Sequence, residues 1–169
     1  MTPRAVGGFV ALAVFIADQA AKAAVLVRSG EAAQGSTPLA PFLDLVLRWN
    51  RGISFSLFAQ GSAAGQTLLL ALIVVAIALL GWWLSNARSI TAAAGLGAII
   101  GGALGNVSDR IIHGAVVDYL DFHAVGRHFF VFNLADAAIN VGVALLVIDL
   151  ALRSRTEGGK QPVPPPGAK

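Results

Sequence analysis

The sequence predicts an all-α membrane core of four transmembrane helices carrying a small extramembrane β-sheet. Composition is the first observation: the 169 residues are 56% hydrophobic and 12% charged, with a mean hydropathy of +0.74, which does not suit a water-facing surface. The second is four apolar runs, each near the roughly 20 residues that a helix needs to cross a bilayer. The third is strand-like patterning in the two longer segments between those runs. The chain has no cysteine, which excludes a disulfide, a thiolate metal site and a thiol nucleophile. Its 12 basic residues barely exceed its 9 acids, and they lie in loops and tail without interleaved aromatics, so nucleic acid is not expected as a partner.

The first run covers residues 6–27, after Arg4, and is apolar except for Asp18, Gln19 and Lys22. A cleavable signal peptide shares the basic start, the apolar core and the small-residue sites. Its core does not carry charges, however, and Asp18 and Lys22 stand i, i+4 on one helix face. An isolated charge in lipid costs roughly 2.5–3.5 kcal/mol, so this pair is expected to face protein or a wet cavity. Residues 28–65 are mixed polar and extramembrane. Within them Leu43, Leu45, Leu47 and Trp49 alternate with Asp44, Val46, Arg48 and Asn50, and Ile53, Phe55 and Leu57 alternate with Ser54, Ser56 and Phe58. That pattern predicts two short strands joined at Asn50-Arg51-Gly52. Turn chemistry alone accounts for Asn50 and Gly52.

Residues 66–84 form the second run, closed by Trp82 and Trp83 in the manner of an interfacial aromatic belt. After a short connection, the third run at 90–107 is rich in Gly and Ala; Gly97, Gly101 and Gly105 have the spacing that lets helices approach closely in lipid. The second extramembrane segment, 108–134, holds Asp109, Asp118, Asp121, three histidines and the strand-like patch Phe129 to Phe132. The fourth run covers 135–152. Asn133 suits its N-cap and Asp136 its third position, where a carboxylate meets free N–H groups, which is a complete structural account of Asp136. A tail at 153–169, with the Pro-rich Pro162 to Pro166, is expected to be disordered. With four spans, Arg4, Arg88, Arg153, Arg155 and Lys160 share one side, which makes both termini cytoplasmic and turns the two longer segments outward.

This topology gathers Asn106, Asp109, Arg110, Asp118, Asn133 and Asp136 at one membrane–water boundary, with Asp18 and Lys22 in the outer part of the first helix. Ionisable groups in such places are functional candidates. Asn106, Asp109 and Arg110 share a face if the third helix continues through them. There is no H-E-x-x-H, and His113, His123 and His128 lack helical ligand spacing, so no metal is expected. Ser54, Ser56 and Ser108 have no nucleophile-elbow glycines and no evident base. Paired carboxylates remain: two held close cannot easily both ionise, and together they can act as general base and general acid toward water and a carbonyl. An ion-coupled transporter using Asp18, Lys22 and the boundary acids, or a scaffold whose acids only cap helices and pair with Arg110, are the competing readings.

Five ordered blocks favour the paired-carboxylate reading by resemblance. They are Asp18-Gln19-x-x-Lys22, Asn50-x-Gly52-x-Ser54-Phe55-Ser56, Gly101-Gly102-x-x-Gly105-Asn106-x-x-Asp109-Arg110, Val117-Asp118, and Phe132-Asn133-x-Ala135-Asp136-x-x-Ile139-x-x-Gly142. The chain resembles, over about residues 9 to 150, the lipoprotein signal peptidases (signal peptidase II), bacterial inner-membrane aspartyl proteases. The resemblance implies a catalytic dyad of Asp118 and Asp136. Asn106, Asp109 and Arg110 would brace it, with Asp18, Lys22 and Gly52 as further supporting residues. Asn50, Asn133 and Asn140 would orient the dyad or the substrate backbone. It also implies a prolipoprotein substrate, cut on the amino side of a diacylglyceryl-modified cysteine, with the sheet as a cradle against the membrane lipid. No cofactor is implied, and a monomer is expected.

Overall fold

The computed structural model of the protein describes residues 1–31, 35–52 and 63–158. Four helices, α1 (Pro3–Glu31), α2 (Ala63–Ser85), α3 (Ile90–His113) and α4 (Leu134–Gly158), are each long and apolar enough to cross a membrane. Four strands, β1 (Thr37–Ala40), β2 (Leu43–Asn50), β3 (Val116–Ala124) and β4 (Arg127–Phe132), form one antiparallel sheet in chain order. The sheet lies between the C-terminal ends of α1 and α3 and the N-terminal end of α4.

α3 is the central helix. Over half of its apolar stretch is buried, whereas α2 buries none of its own. Glycine makes this possible on two faces. A methyl group at Gly97 or Gly101 would meet the backbone of Gly7 or Ala11 in α1, and one at Gly95 or Gly102 would meet the backbone of Gly142 or Ala135 in α4. Without a driving force from water, such close backbone contact is what holds helices together in lipid. α3 is capped at Ser89, whose Oγ accepts from Thr91 N–H at 3.1 Å, and it closes at Gly114 in the left-handed region at φ 69°.

Some boundaries differ from the sequence expectation. α3 runs past Val107 to His113, because Asn106, Asp109 and Arg110 find protein partners and do not need to leave the helix. α4 continues to Gly158, beyond residue 152. β2 takes up the predicted Leu43–Trp49 alternation, but its neighbours are β1 and β3. The partner strand expected at 53–58 lies outside the described residues, as do Ser54 to Ser56 of the second block and the Pro-rich tail. β3 was not expected: Val116 to Tyr119 is buried on both faces, so it carries no alternation.

Candidate active site

The N-terminal turn of α4 organises the site. A helix begins with backbone N–H groups that lack intrahelical partners, and here three elements supply acceptors. Leu134 N–H donates to Tyr119 Oη of β3 at 3.2 Å, Ala135 N–H to Asp18 Oδ1 of α1 at 2.9 Å, and Asp136 N–H to Asn133 Oδ1 at 2.9 Å. Asp136 Oδ2 accepts in return from Asn133 N–H at 3.3 Å, a reciprocal capping arrangement. Asp136 therefore does cap its helix, as the sequence suggested, and its other oxygen is used elsewhere: Oδ1 accepts from Asn106 Nδ2 at 2.9 Å.

Asp118 lies on β3, opposite Arg48 of β2, and is 3% exposed. Its Oδ1 accepts from Asn133 Nδ2 at 2.7 Å and its Oδ2 from Asn50 Nδ2 at 3.0 Å. Asn50 also serves the turn, because its Oδ1 accepts from Gly52 N–H at 3.0 Å, with Gly52 at φ 108°. The turn and site readings of Asn50 and Gly52 are thus the same structure. Burial pushes the Asp118 carboxyl above the usual carboxylate range; the Asn50 and Asn133 hydrogen bonds and Lys22 oppose this, and repulsion from Asp136 adds to it.

A second pair of carboxylates forms its own layer around Lys22 of α1. Lys22 Nζ lies 2.8 Å from Asp18 Oδ2, 2.9 Å from Asp109 Oδ2 and 3.1 Å from Asn106 Oδ1. The ammonium group's three protons are thereby all used. Asp109 also accepts from Val117 N–H at 3.0 Å, which ties α3 to β3. Gln19 Nε2 reaches Asp18, Asp109 and the Gly105 carbonyl at 3.2–3.3 Å. Asn106 joins the two layers, because its Oδ1 accepts from Lys22 and from Asn133 Nδ2 while its Nδ2 donates to Asp136.

The four aspartates of this network thus divide by partner. Asp18 and Asp109 are ion-paired to Lys22; Asp118 and Asp136 meet only neutral amides and backbone N–H groups among the described residues. Arg110 extends one bond, from its NH1 to the Asn106 carbonyl at 3.1 Å, and has no carboxylate within ion-pair distance among the described residues. Its Nε is buried without a partner beside a small cleft bounded by Arg51, Gln66 and Leu69. Asn140 is not brought to the site by any hydrogen bond among the described residues and is exposed on α4. Gln19 and Tyr119 join the network although no role was expected for either. Gln19 adjoins Asp18 and was within reach of a sequence argument, whereas the Tyr119 contact is purely tertiary.

The histidines stand apart. On the sheet, Asp44 and Asp121 are directly opposed, and each has an imidazole beside it: His123 Nε2 at 3.1 Å from Asp44 and His128 Nδ1 at 2.8 Å from Asp121. The Ser36 hydroxyl and then His123 hold the Asp44 carboxyl below its ordinary value. Among the described residues, no group of three or more His, Asp or Glu side chains could hold a metal ion.

Comparison with known proteins agrees over nearly the whole length. A family model described as signal peptidase (SPase) II matches residues 10–152. A lipoprotein signal peptidase of Beijerinckia indica subsp. indica is 48% identical over 149 residues, covering 88% of this chain and 89% of that protein. One from Nitrobacter hamburgensis is 45% identical over 158 residues, covering 91% and 96%. A solved structure described as a bacterial membrane enzyme, at 1.9 Å by the in meso method, superposes with a TM-score of 0.73 at 25% identity, covering 85% of this chain and 91% of that one.

Proposed function

The chain belongs to the signal peptidase II family, and on that premise we propose that it removes the signal peptide from prolipoproteins as an aspartic endopeptidase, with Asp118 and Asp136 as its catalytic dyad. One observation carries the choice of residues. A carboxylate engaged by a buried ammonium is committed to that ion pair, whereas one held by neutral amides is available to a water and a carbonyl. Asp18 and Asp109 are of the first kind; Asp118 and Asp136 are of the second.

Within this reading, Asp136 takes the part of the base, because it sits at the N-terminal end of α4 and accepts two N–H bonds. Asp118 keeps its proton, in line with its burial. A water between them gives a proton to Asp136 as its oxygen attacks the scissile carbonyl, and Asp118 protonates the carbonyl oxygen. The tetrahedral diol then collapses: Asp118 recovers a proton from a hydroxyl, the C–N bond breaks, and Asp136 returns its proton to the departing amine. Products are a signal peptide with a new carboxylate and a lipoprotein with a free amino group on its modified cysteine. Acid–base assistance of this kind is worth about 10²–10⁴-fold, with orientation supplying more.

The substrate is a chain whose diacylglyceryl-modified cysteine sits at the membrane surface, cut on that cysteine's amino side. The enzyme would lie in the bacterial inner membrane, its termini cytoplasmic by the basic residues Arg4, Arg88 and Arg153, and the dyad near the periplasmic face.

Purified full-length protein in detergent, given a diacylglyceryl prolipoprotein, is expected to release the signal peptide, and to leave the unlipidated substrate uncut. Asp118→Asn and Asp136→Asn should each abolish release while remaining folded, and Asp109→Asn should lose it in part. Near-normal cleavage by either dyad variant would remove that residue from catalysis. No cleavage by well-folded wild-type protein would remove the peptidase reading.

A further inference from the structure

We propose that Tyr119 is a positioning residue of the reaction, its hydroxyl oxygen holding the first N–H of α4 so that Asp136 is set against Asp118; this rests on the dyad reading above. The two aspartates stand on different elements, Asp118 on β3 and Asp136 on α4, and among the described residues Asn133 is the one that bonds both. Asp18 also holds Ala135 N–H and Asn106 also holds Asp136, but neither belongs to β3, the strand that carries Asp118. Tyr119 supplies a second tie. It follows Asp118 directly on β3, and its Oη accepts from Leu134 N–H at 3.2 Å, the residue between Asn133 and the site's other contacts on α4. The ring is fixed independently, 6% exposed and packed with Val25 of α1 and Val117. β3, α1 and α4 thus meet at one side chain.

The chemistry of the contact explains the residue type. The N–H of the first helical residue has no intrahelical acceptor, and a phenol oxygen can satisfy it without adding charge beside two carboxylates. A phenylalanine would keep the packing and leave that N–H without an acceptor. The end of α4 would then be free to shift, and displacements of about an ångström at a reacting group cost up to about 10²-fold in rate.

Tyr119→Phe in the full-length protein tests this directly. The expected result is a fall in kcat of roughly 10-fold with KM within about twofold, together with faster deuterium exchange at the Leu134 amide. Incorporating para-methoxyphenylalanine at 119, which keeps an acceptor oxygen but has no hydroxyl proton, should restore both kcat and slow exchange. A Tyr119→Phe enzyme with kcat within twofold of wild type overturns the proposal. So does a loss of kcat with Leu134 exchange unchanged, since the tie would then not be the cause. If instead Asp118→Asn and Asp136→Asn kept cleaving, the dyad reading itself would fail, and the exchange measurement would still report whether Tyr119 holds α4.

Discussion

Replacing Lys22 by Met removes a buried charge while keeping most of the side-chain volume, and the structure sets the size of the effect. Lys22 is 2% exposed, and its partners Asp18 and Asp109 are 0% and 3% exposed, so water cannot take over its bonds at 2.8, 2.9 and 3.1 Å. Removing one partner of a buried ion pair costs about 3–5 kcal/mol, because the other charge is stranded. Two carboxylates are stranded here, but each retains a backbone donor, Ala135 N–H for Asp18 and Val117 N–H for Asp109, which keeps the loss inside that range. The same i, i+4 spacing occurs in α4 between Asp149 and Arg153, 2.7 Å apart, but there the Arg side chain is 48% exposed. Exposed pairs contribute about 0–1 kcal/mol. Equilibrium unfolding of detergent-solubilised protein should therefore show Lys22→Met strongly destabilised and Arg153→Met nearly unaffected. Adding Asp18→Asn and Asp109→Asn to Lys22→Met should recover much of the loss by removing the stranded charges. Equal effects of the two cation replacements, or no recovery in the triple variant, would refute the buried-charge reasoning.

Three further outcomes follow from the geometry. Since the folded Asp118 carboxyl binds its proton more tightly than it does unfolded, its contribution to stability is full below the unfolded value and is lost as pH rises through the folded one; thermal denaturation across pH should show Asp118→Asn more stable than wild type at neutral pH, with the advantage vanishing in acid. A methyl group at Gly105 would overlap the Asp18 carboxylate, which Lys22 and Ala135 N–H hold in place, so Gly105→Ala should lower stability by about 1–3 kcal/mol and depress cleavage. Val125, fully exposed in the β3–β4 turn, sits at φ 52°, where a β-branched residue is strained. Val125→Asn should raise stability by about 1 kcal/mol, read as a higher unfolding temperature with cleavage unchanged.

Length and hydropathy made the four spans legible, because crossing a bilayer imposes a length of apolar chain that no other role requires. Helix ends were less legible. Polarity at Asn106, Ser108 and Asp109 looks like the end of a membrane helix, yet α3 continues to His113, because hydropathy registers a polar side chain and not whether protein satisfies it. The Asp18–Lys22 pair was readable from spacing, since both partners lie on one helix. Asp109, the most conspicuous acid in its stretch, turns out to share the same lysine, a contact between α1 and α3 that no spacing rule expresses. Likewise nothing in the spacing of Asp118 and Asp136 links them; the bridge is Asn133, reached only when β3 folds back beside the start of α4. β1 and β3 were invisible for opposite reasons, β1 being too short to show a period and β3 too buried to alternate.

Asparagine is the residue that makes the arrangement chemically workable. Asp118 and Asp136 need donors, and the Lys22 ammonium lies one amide away from Asp136, bonded to Asn106. Placed directly on Asp136, that cation would hold the carboxylate ionised through the whole reaction. Placed on Asn106, it polarises an amide whose other end donates to Asp136 at 2.9 Å, so positioning is transmitted and a full charge is not. Asn133 and Asn50 likewise hold Asp118 through neutral amides. Asn106→Lys would place a cation against Asp136. The acid–base split then predicts that cleavage collapses even where the fold survives, whereas a site needing only fixed negative charge would tolerate the change.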